Sequence, residues 1–328
     1  MTRPAVQEHA TPSAPRADVD EVDLALINAL QLDPRVSWTT VGPVLGIDAA
    51  TARRRWKRLT DAGLAWIAVH PGGPQLPGLV EVTCSAGHGA AVAEALAAMP
   101  QAVHVERITG GRDLMVGVAV PDLAALDRLV VGRIATLEGV RDTRTQLVTR
   151  PFVVGGDWQV GALDAQQRAQ LPTQVPALPG TDAALDETER RIATLLAQDG
   201  RMSLTDIAGQ LGCSVSTACR RVQAMIARRA VVLRCDLAQS VSGTANALWL
   251  WCRVPPDELM ATGQRIAAMP QTRGLYAVTG DTASLMVCAW LHTLADGPRL
   301  ESLLAAEAPG LTVIDRAVVL GSVKRMGG

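Results

Sequence analysis

The chain has 328 residues, room for about two to four domains at roughly 100–200 residues each. With 48% hydrophobic residues it reads as globular, and its formal charge of −1 excludes a polybasic protein held to nucleic acid by bulk charge alone. The N-terminus (MTRPAVQEHATPSAPRADVD) lacks the apolar core of a signal peptide, and no stretch approaches ~18 uninterrupted apolar residues, so a cytoplasmic chain with no membrane span is expected. Cys84, Cys213, Cys219, Cys235, Cys252 and Cys288 form no CxxC pair and no zinc spacing with histidine. They read as small buried hydrophobes, and no metal or cofactor is expected.

Residues 1–18 read as a disordered tail, and beyond them the sequence repeats itself. A shift of 166 lays Asp20–Leu59 over Asp186–Met225 without a gap: Asp33-Pro-Arg-Val-Ser37 matches Asp199-Gly-Arg-Met-Ser203, and Arg54-Arg55 matches Arg220-Arg221. At a shift of 170, Ala97-Ala-Met-Pro-Gln101 recurs as Ala267-Ala-Met-Pro-Gln271 and Thr109-Gly110 as Thr279-Gly280. One residue later, Leu114-Met-Val116 recurs as Leu285-Met-Val287. This is a tandem duplication of a two-part unit.

The first part of each unit, 19–70 and 185–237, is helical. In the second copy Leu185, Ile192, Leu195 and Leu196 recur at helical spacing behind the acidic Asp186 and Glu187. Asp199-Gly200 closes that helix, Ser203 caps a short second one, Gly212 supplies a tight turn, and Ser214 caps a third running to about Ala227. Helix, glycine turn, helix is the helix-turn-helix pattern. The β-prone stretches Leu64–Val69 and Ala230–Cys235 come next and make each module winged. Pro43 falls in the second helix of copy one, where it removes a hydrogen bond and is expected to distort the pair.

The second part, 78–152 and 245–323, alternates strand, helix, strand, strand, helix, strand. In copy one these are Leu79–Cys84, Ala90–Met99, Ala102–Thr109, Leu114–Val120, Leu123–Leu137 and Arg141–Val148. In copy two they are Ala247–Val254, Asp257–Met269, Arg273–Val278, Ser284–Leu291, Pro298–Ala308 and Thr312–Leu320. This βαββαβ order is the ferredoxin-like arrangement, so the fold class is α+β. The run ALWLWCRV (247–254) is apolar on both faces, which implies a second sheet packed against it. Residues 153–184, rich in Pro, Gly, Gln and Ala, read as a linker, with a short helix over Ala162–Gln170.

Charge is concentrated on the third helices. Arg35, Arg53, Arg54, Arg55, Lys57 and Arg58 oppose Asp48 and Asp61 between Arg35 and Val69, a local net of +4. Copy two carries Arg220, Arg221, Arg228 and Arg229 against Asp206, a net of +3. Arginines after a glycine turn reach phosphates and guanine edges in a major groove. The candidate DNA contacts are Thr51, Arg53, Arg54, Arg55, Lys57 and Arg58 in the first module and Ser214, Ser216, Thr217, Arg220 and Arg221 in the second. Arg54, Arg55 and Arg58 lead, with the small Thr51 and Ala52 allowing close approach to base edges and Trp56 and Leu59 facing the core. No HExxH or GxSxG occurs, and His9, His70, His88, His104 and His292 are scattered, so no catalytic residue is assigned and the chain reads as no enzyme. His104, in an alternating strand, reads as structural.

Leu185-Asp-Glu-Thr-Glu-Arg-Arg-Ile192, Asp199-Gly-Arg-Met-Ser203 and Leu211-Gly-Cys-Ser-Val-Ser-Thr-Ala-Cys-Arg-Arg-Val222 resemble the DNA-binding domain of the Lrp/AsnC family of feast/famine regulators. That family joins a winged helix-turn-helix to a βαββαβ ligand-binding domain called RAM, the order found here from Val19 to Val323. The resemblance implies a covalent pseudo-dimer with its two RAM sheets face to face, double-stranded DNA as partner, self-association into larger homo-oligomers, and an amino acid or related metabolite as effector. In the family the effector site lies near a Thr/Ser-Gly-x-x-Asp loop. Thr109-Gly110-Gly-Arg-Asp113 fits that pattern, whereas Thr279-Gly280-Asp-Thr-Ala-Ser284 is one residue longer and ends in serine. Asp113 is therefore either a partner for an effector ammonium or a cap on its own turn. Two other readings stand beside the regulator. One is an enzyme like the siroheme decarboxylases, which share the two-part architecture and need histidine, tyrosine and arginine around a tetrapyrrole. The other is a RAM-type interaction protein that has lost DNA binding.

Overall fold

The computed structural model describes residues 19–72, 75–154, 158–173, 185–238, 241, 243–244 and 246–324; the tail 1–18 and residues 174–184 of the linker lie outside them. Each copy begins with three helices: α1 (Glu21–Leu32), α2 (Trp38–Val44) and α3 (Ala49–Asp61), then α7 (Glu187–Gln198), α8 (Leu204–Leu211) and α9 (Val215–Ala227), with α6 (Ala165–Ala169) falling between the copies. Asp20 and Asp186 close capping boxes on the first helix of each set, satisfying two orphan N–H groups apiece. Gly46 and Gly212 turn the chain at φ of +69° and +67°, a conformation that costs glycine nothing. Pro43 does not break α2, because it sits in the last turn of a seven-residue helix.

One strand follows each helical set, β1 (Ala65–Pro71) and β6 (Val231–Leu237). Among the described residues neither module builds a wing of its own: β1 and β6 pair antiparallel with each other, from Ala65 opposite Leu237 to Pro71 opposite Val231. A lone strand leaves its backbone groups unpaired, and here the other copy supplies the partner. The exchange reaches the cores too. Cys235 and Leu237 pack with Leu26, Leu30 and Leu59 of the first module, while Ile67 and Val69 pack against Ile192, Leu196 and Met225 of the second.

The ferredoxin-like parts run β2 (Leu76–Cys84), α4 (Gly89–Ala97), β3 (Ala102–Ile108), β4 (Leu114–Val120), α5 (Leu123–Leu129) with a π-helical turn over Val130–Ile134, and β5 (Val140–Val153). Copy two repeats this as β7 (Asn246–Arg253), α10 (Leu259–Ala267), β8 (Thr272–Thr279), β9 (Leu285–Leu291), α11 (Gly297–Glu307) and β10 (Thr312–Lys324). The two four-stranded sheets face each other across Leu79, Met115, Trp249, Trp251 and Met286. They are also sewn together at both edges, where β5 pairs with β8 and β10 with β3, so the eight strands close a barrel in the order β10-β3-β4-β2-β5-β8-β9-β7. That double duty explains why β5 and β10 outrun their expected ends. Closure leaves the barrel itself without a free sheet edge. In ALWLWCRV, Leu248, Leu250 and Cys252 pack toward their own helices and Trp249 and Trp251 toward the opposite sheet, as its two apolar faces imply.

The linker is structured where described. Its short helix, α6 (Ala165–Ala169), is trimmed relative to the expected span, and Leu163 and Leu171 are buried in the first helical module. Asn28 accepts from the Leu163 N–H, and Gln31 bonds both Val160 and Trp158. Among the described residues no helix is long and apolar enough to cross a membrane.

Candidate nucleic-acid interface and effector site

The third helices bury one stripe and expose another. Ala52, Trp56 and Leu59 of α3, and Ala218, Val222 and Met225 of α9, are buried. Ala52 therefore faces the core and not a base edge, because it occupies the same stripe as Trp56. Asp48 caps α3 and takes both the Thr51 N–H and the Thr51 hydroxyl at 2.8 Å; Ser214, Ser216 and Thr217 form the corresponding cluster at the start of α9.

The arginines separate into two groups. Arg55 reaches back to α1, 2.7 Å from Asp20 and 3.0 Å from Asp23, and Arg58 pairs with Asp23, whose side chain is buried. Copy two repeats the first of these, Arg221 lying 2.7 Å from Asp186. The hydrogen bond from Arg221 holds the Asp186 carboxyl below its usual range. Arg54 touches Thr51 through Nη2 at 3.2 Å, and Lys57 pairs with Asp61 one turn on. Among the described residues Arg53, Arg54 and Arg220 make no ion pair, and all three are exposed. Arg54 and Arg220 are the same position in the two copies.

Two arginines, one of them counted in the sequence only as part of the basic patch, bond across the two modules. Arg35 donates to the carbonyls of Gly200 (2.7 Å) and Met202 (3.0 Å), and Arg201 donates to those of Pro34 (2.6 Å) and Val36 (2.7 Å). Arg201 also lies over the Trp38 ring, 3.8 Å from its centre. Burial lowers the pKa of both, that of Arg201 to about 10, which leaves Arg201 charged at neutral pH. The signal was present: the two arginines match at the shift of 166.

Both expected effector loops lie on the seams of the barrel. Thr109 exchanges bonds with Val318 on β10, and Gly280, at φ +122°, packs where a Cβ would meet the Thr145 carbonyl of β5 at 2.7 Å. Thr279 pairs with Leu147 across the same seam, and Gly110 takes φ +101° beside β10. Asp113 accepts from the Cys84 N–H at 2.7 Å, and Ser284 accepts from the Val254 N–H at 2.9 Å in the matching place. Serine thus keeps the turn-capping bond that the aspartate makes. Arg112 turns inward instead, 2.7 Å from buried Glu81 and 2.6 Å from Asp315 of the other copy, its guanidinium carbon 4.1 Å from the centre of the Trp251 ring.

A cavity of about 160 Å³ opens where the barrel meets the β1–β6 ribbon. His104, Glu106, Trp249, Arg273, Tyr276 and Trp290 line it from the barrel, and Trp66 and Arg234 from the ribbon, with Trp158 of the linker alongside. His104, read as structural, stacks on Trp249 and takes its room from Gly117, where a Cβ would meet the ring at 2.1 Å. Burial holds its imidazole below its ordinary pKa. The β8–β9 register slips between Thr272 and Gly274, leaving Arg273 in a bulge, the device that re-aims a strand side chain. Nothing in the local sequence marks these residues as neighbours, since the cavity draws on both copies and the linker.

An AsnC-type helix-turn-helix domain model matches residues 19–60 and again 185–226, and a Lrp/AsnC ligand binding domain model matches 78–156. An HTH-type transcriptional regulator of Pyrococcus horikoshii is 27% identical over 143 residues, 42% of this chain and 90% of that protein. The leucine-responsive regulatory protein of Escherichia coli is 27% identical over 142 residues, 41% of this chain and 87% of its own length. Each such relative thus corresponds to one unit. Over nearly the whole chain the structure resembles a siroheme decarboxylase, with a TM-score of 0.60 at 18% identity, covering 94% of this chain and 93% of that one, a likeness of fold alone. Two helix-turn-helix matches, a ligand-binding match between them and relatives of about one unit's length lead to one conclusion: the chain belongs to the Lrp/AsnC family of transcriptional regulators, in a tandem form.

Proposed function

We propose that the chain is a sequence-specific DNA-binding regulator that acts as a covalent pseudo-dimer, its two third helices entering successive major grooves. The observation that carries this reading is the repeated exposure of Arg54 and Arg220 on helices whose neighbouring arginines are tied to the scaffold. Arg53, Arg54, Lys57 and Arg220 then make the DNA contacts with Thr51, Ser214, Ser216 and Thr217 at the helix starts. Arg55, Arg58 and Arg221 hold the helices in place. A small effector, an amino acid or a related metabolite, shifts the equilibrium between arrangements that bind DNA differently. Exposed Ile314, Leu320 and Val323 along β10 favour further association between copies, which light scattering reads directly. Selection of genomic fragments by the purified protein tests the reading. Discrete sites with a steep salt slope are expected, and weak, sequence-blind binding would sink it.

A second reading has one observation behind it. The cavity gathers His104, Tyr276 and Arg273, the residue types a tetrapyrrole decarboxylase needs, on a fold shared with such an enzyme. Its size argues the other way, because a cavity of about 160 Å³ compares with the ~150 Å³ cavity that takes one benzene ring and falls far short of a macrocycle. An absorbance titration with an iron tetrapyrrole separates the two: no Soret shift is expected, and a saturable shift favours the enzyme.

A further inference from the structure

The cavity between barrel and ribbon carries more than its size. Among the described residues, Trp66 Nε1, His104 Nε2, Arg234 Nε and Arg273 Nε are buried polar atoms without a hydrogen-bond partner, and all four residues line it. Most buried polar groups in folded proteins are satisfied, so such a cluster in one place calls for an explanation. Three of the four are obligate N–H donors, which specifies a ligand rich in acceptors.

Arg273 decides the charge. It is 7% exposed, and among the described residues no carboxylate pairs with it. Its Nη1 donates to the Pro270 carbonyl, and its guanidinium carbon lies 4.0 Å from the centre of the Trp158 ring and 4.9 Å from that of Trp290. A buried cation is normally paired, and an anion arriving from solvent would complete this one. Arg234 already has its counter-ion in Asp236 at 3.2 Å. Glu106, with one oxygen on Trp249 Nε1–H, sets a limit: it repels a second carboxylate.

The walls decide the shape. The whole chain holds seven tryptophans, one tyrosine and one phenylalanine. Trp66, Trp158, Trp249, Trp290 and Tyr276 all line this single cavity, a concentration suited to a flat apolar ring.

We propose that the cavity binds a single-ring aromatic monocarboxylate, its carboxylate on Arg273 and its ring among the tryptophans. Because the walls come from both the barrel and the β1–β6 ribbon, occupancy bears on how the helical modules sit. That effector role rests on the regulator reading, whereas the binding does not.

The experiment uses the full chain without DNA, so it is decided independently of DNA binding. Benzoate is titrated and followed by tryptophan fluorescence and calorimetry, beside benzyl alcohol, terephthalate and an iron tetrapyrrole. Expected are saturable quenching by benzoate, at least tenfold weaker binding of benzyl alcohol and terephthalate, and at least a tenfold loss in Arg273→Gln. Should Arg273→Gln fail to fold by far-UV melting, Val319→Phe fills the cavity from β10 and is expected to abolish the quench. No benzoate binding at millimolar concentration, equal binding of benzyl alcohol, undiminished binding in a folded variant, or displacement of benzoate by the tetrapyrrole would each overturn the assignment.

Discussion

Arg35 and Arg201, equivalent positions 166 residues apart, each grip the backbone of the other's inter-helix turn through two hydrogen bonds of 2.6–3.0 Å. Each arginine thereby fixes the other module, and together with the shared β1–β6 ribbon they set the separation of the two third helices. In a protein that docks two helices on one duplex, that separation decides which operators fit.

Losing one arginine should therefore loosen spacing more than it unfolds a module. Charged hydrogen bonds contribute about 1.5–3 kcal/mol each, so losing the two that Arg201 makes is expected to cost Arg201→Ala roughly 3–6 kcal/mol in urea melts. Arg35→Ala should cost a similar amount. The double variant should lose less than the sum, since the two contacts cooperate across one interface. Strict additivity would show that they act separately.

The two groups of arginines predict opposite signatures. Arg54→Ala should weaken operator binding by about 1–3 kcal/mol if it reads a base, or lower the salt slope by about 1 if it holds a phosphate, while leaving the melting temperature alone. Arg58→Ala removes a partner of buried Asp23 and should lower stability before affinity. Gel shifts and melts on the same preparations distinguish them; a destabilised Arg54→Ala or a fully stable Arg58→Ala contradicts the division.

The Arg221–Asp186 pair makes a pH prediction with a definite sign. Arg221 depresses the folded pKa of Asp186 below 3.8, so the pair's contribution is present above that value and is lost as pH falls through the folded pKa. The melting-temperature gap between the wild type and Arg221→Ala should stay constant from neutral pH down to the ordinary carboxylate range, then close. A gap that widens in acid would reverse the assignment.

Inside the barrel, Glu81 accepts from Trp251 Nε1 at 2.6 Å and from Gln146 at 2.8 Å, and pairs with Arg112. Glu81 and Trp251 occupy the same place in the two copies, so the interface core is asymmetric where an ordinary dimer would meet itself. Arg112→Ala leaves a buried carboxylate uncompensated and should cost about 3–5 kcal/mol. Glu81→Gln keeps an acceptor for Trp251 and should cost less, as a denaturant series will show.

Repetition made much of this fold legible. The shift of 166 locates both helix-turn-helix modules, and Gly46 and Gly212 take the left-handed turns that only glycine adopts freely. The unbroken apolar run in 247–254 revealed that something covers both faces of β7. What stayed hidden depends on contacts between copies: β1 finding β6, β5 finding β8, and β10 finding β3 are long-range pairings that no local pattern encodes. The same holds for the site. Charge placed the arginines on α3 and α9, but only the neighbouring acidic residues of α1 and α7 decide which are tied down. Ala52 looked small enough for a base edge, yet its spacing from Trp56 puts it on the buried stripe. Arg273 was invisible because a bulge, and not the strand period, turns it inward.

The most direct test of the account is affinity measured against half-site spacing. A selected operator is rebuilt with its two half-sites moved apart one base pair at a time, and the wild-type protein is titrated on each. Two clamped modules on one face of the duplex predict a sharp optimum that recurs after about 10 base pairs, one helical turn, and that flattens in Arg35→Ala/Arg201→Ala. Affinity indifferent to spacing in the wild type would contradict the central claim that this chain reads DNA through two helices held at a fixed separation.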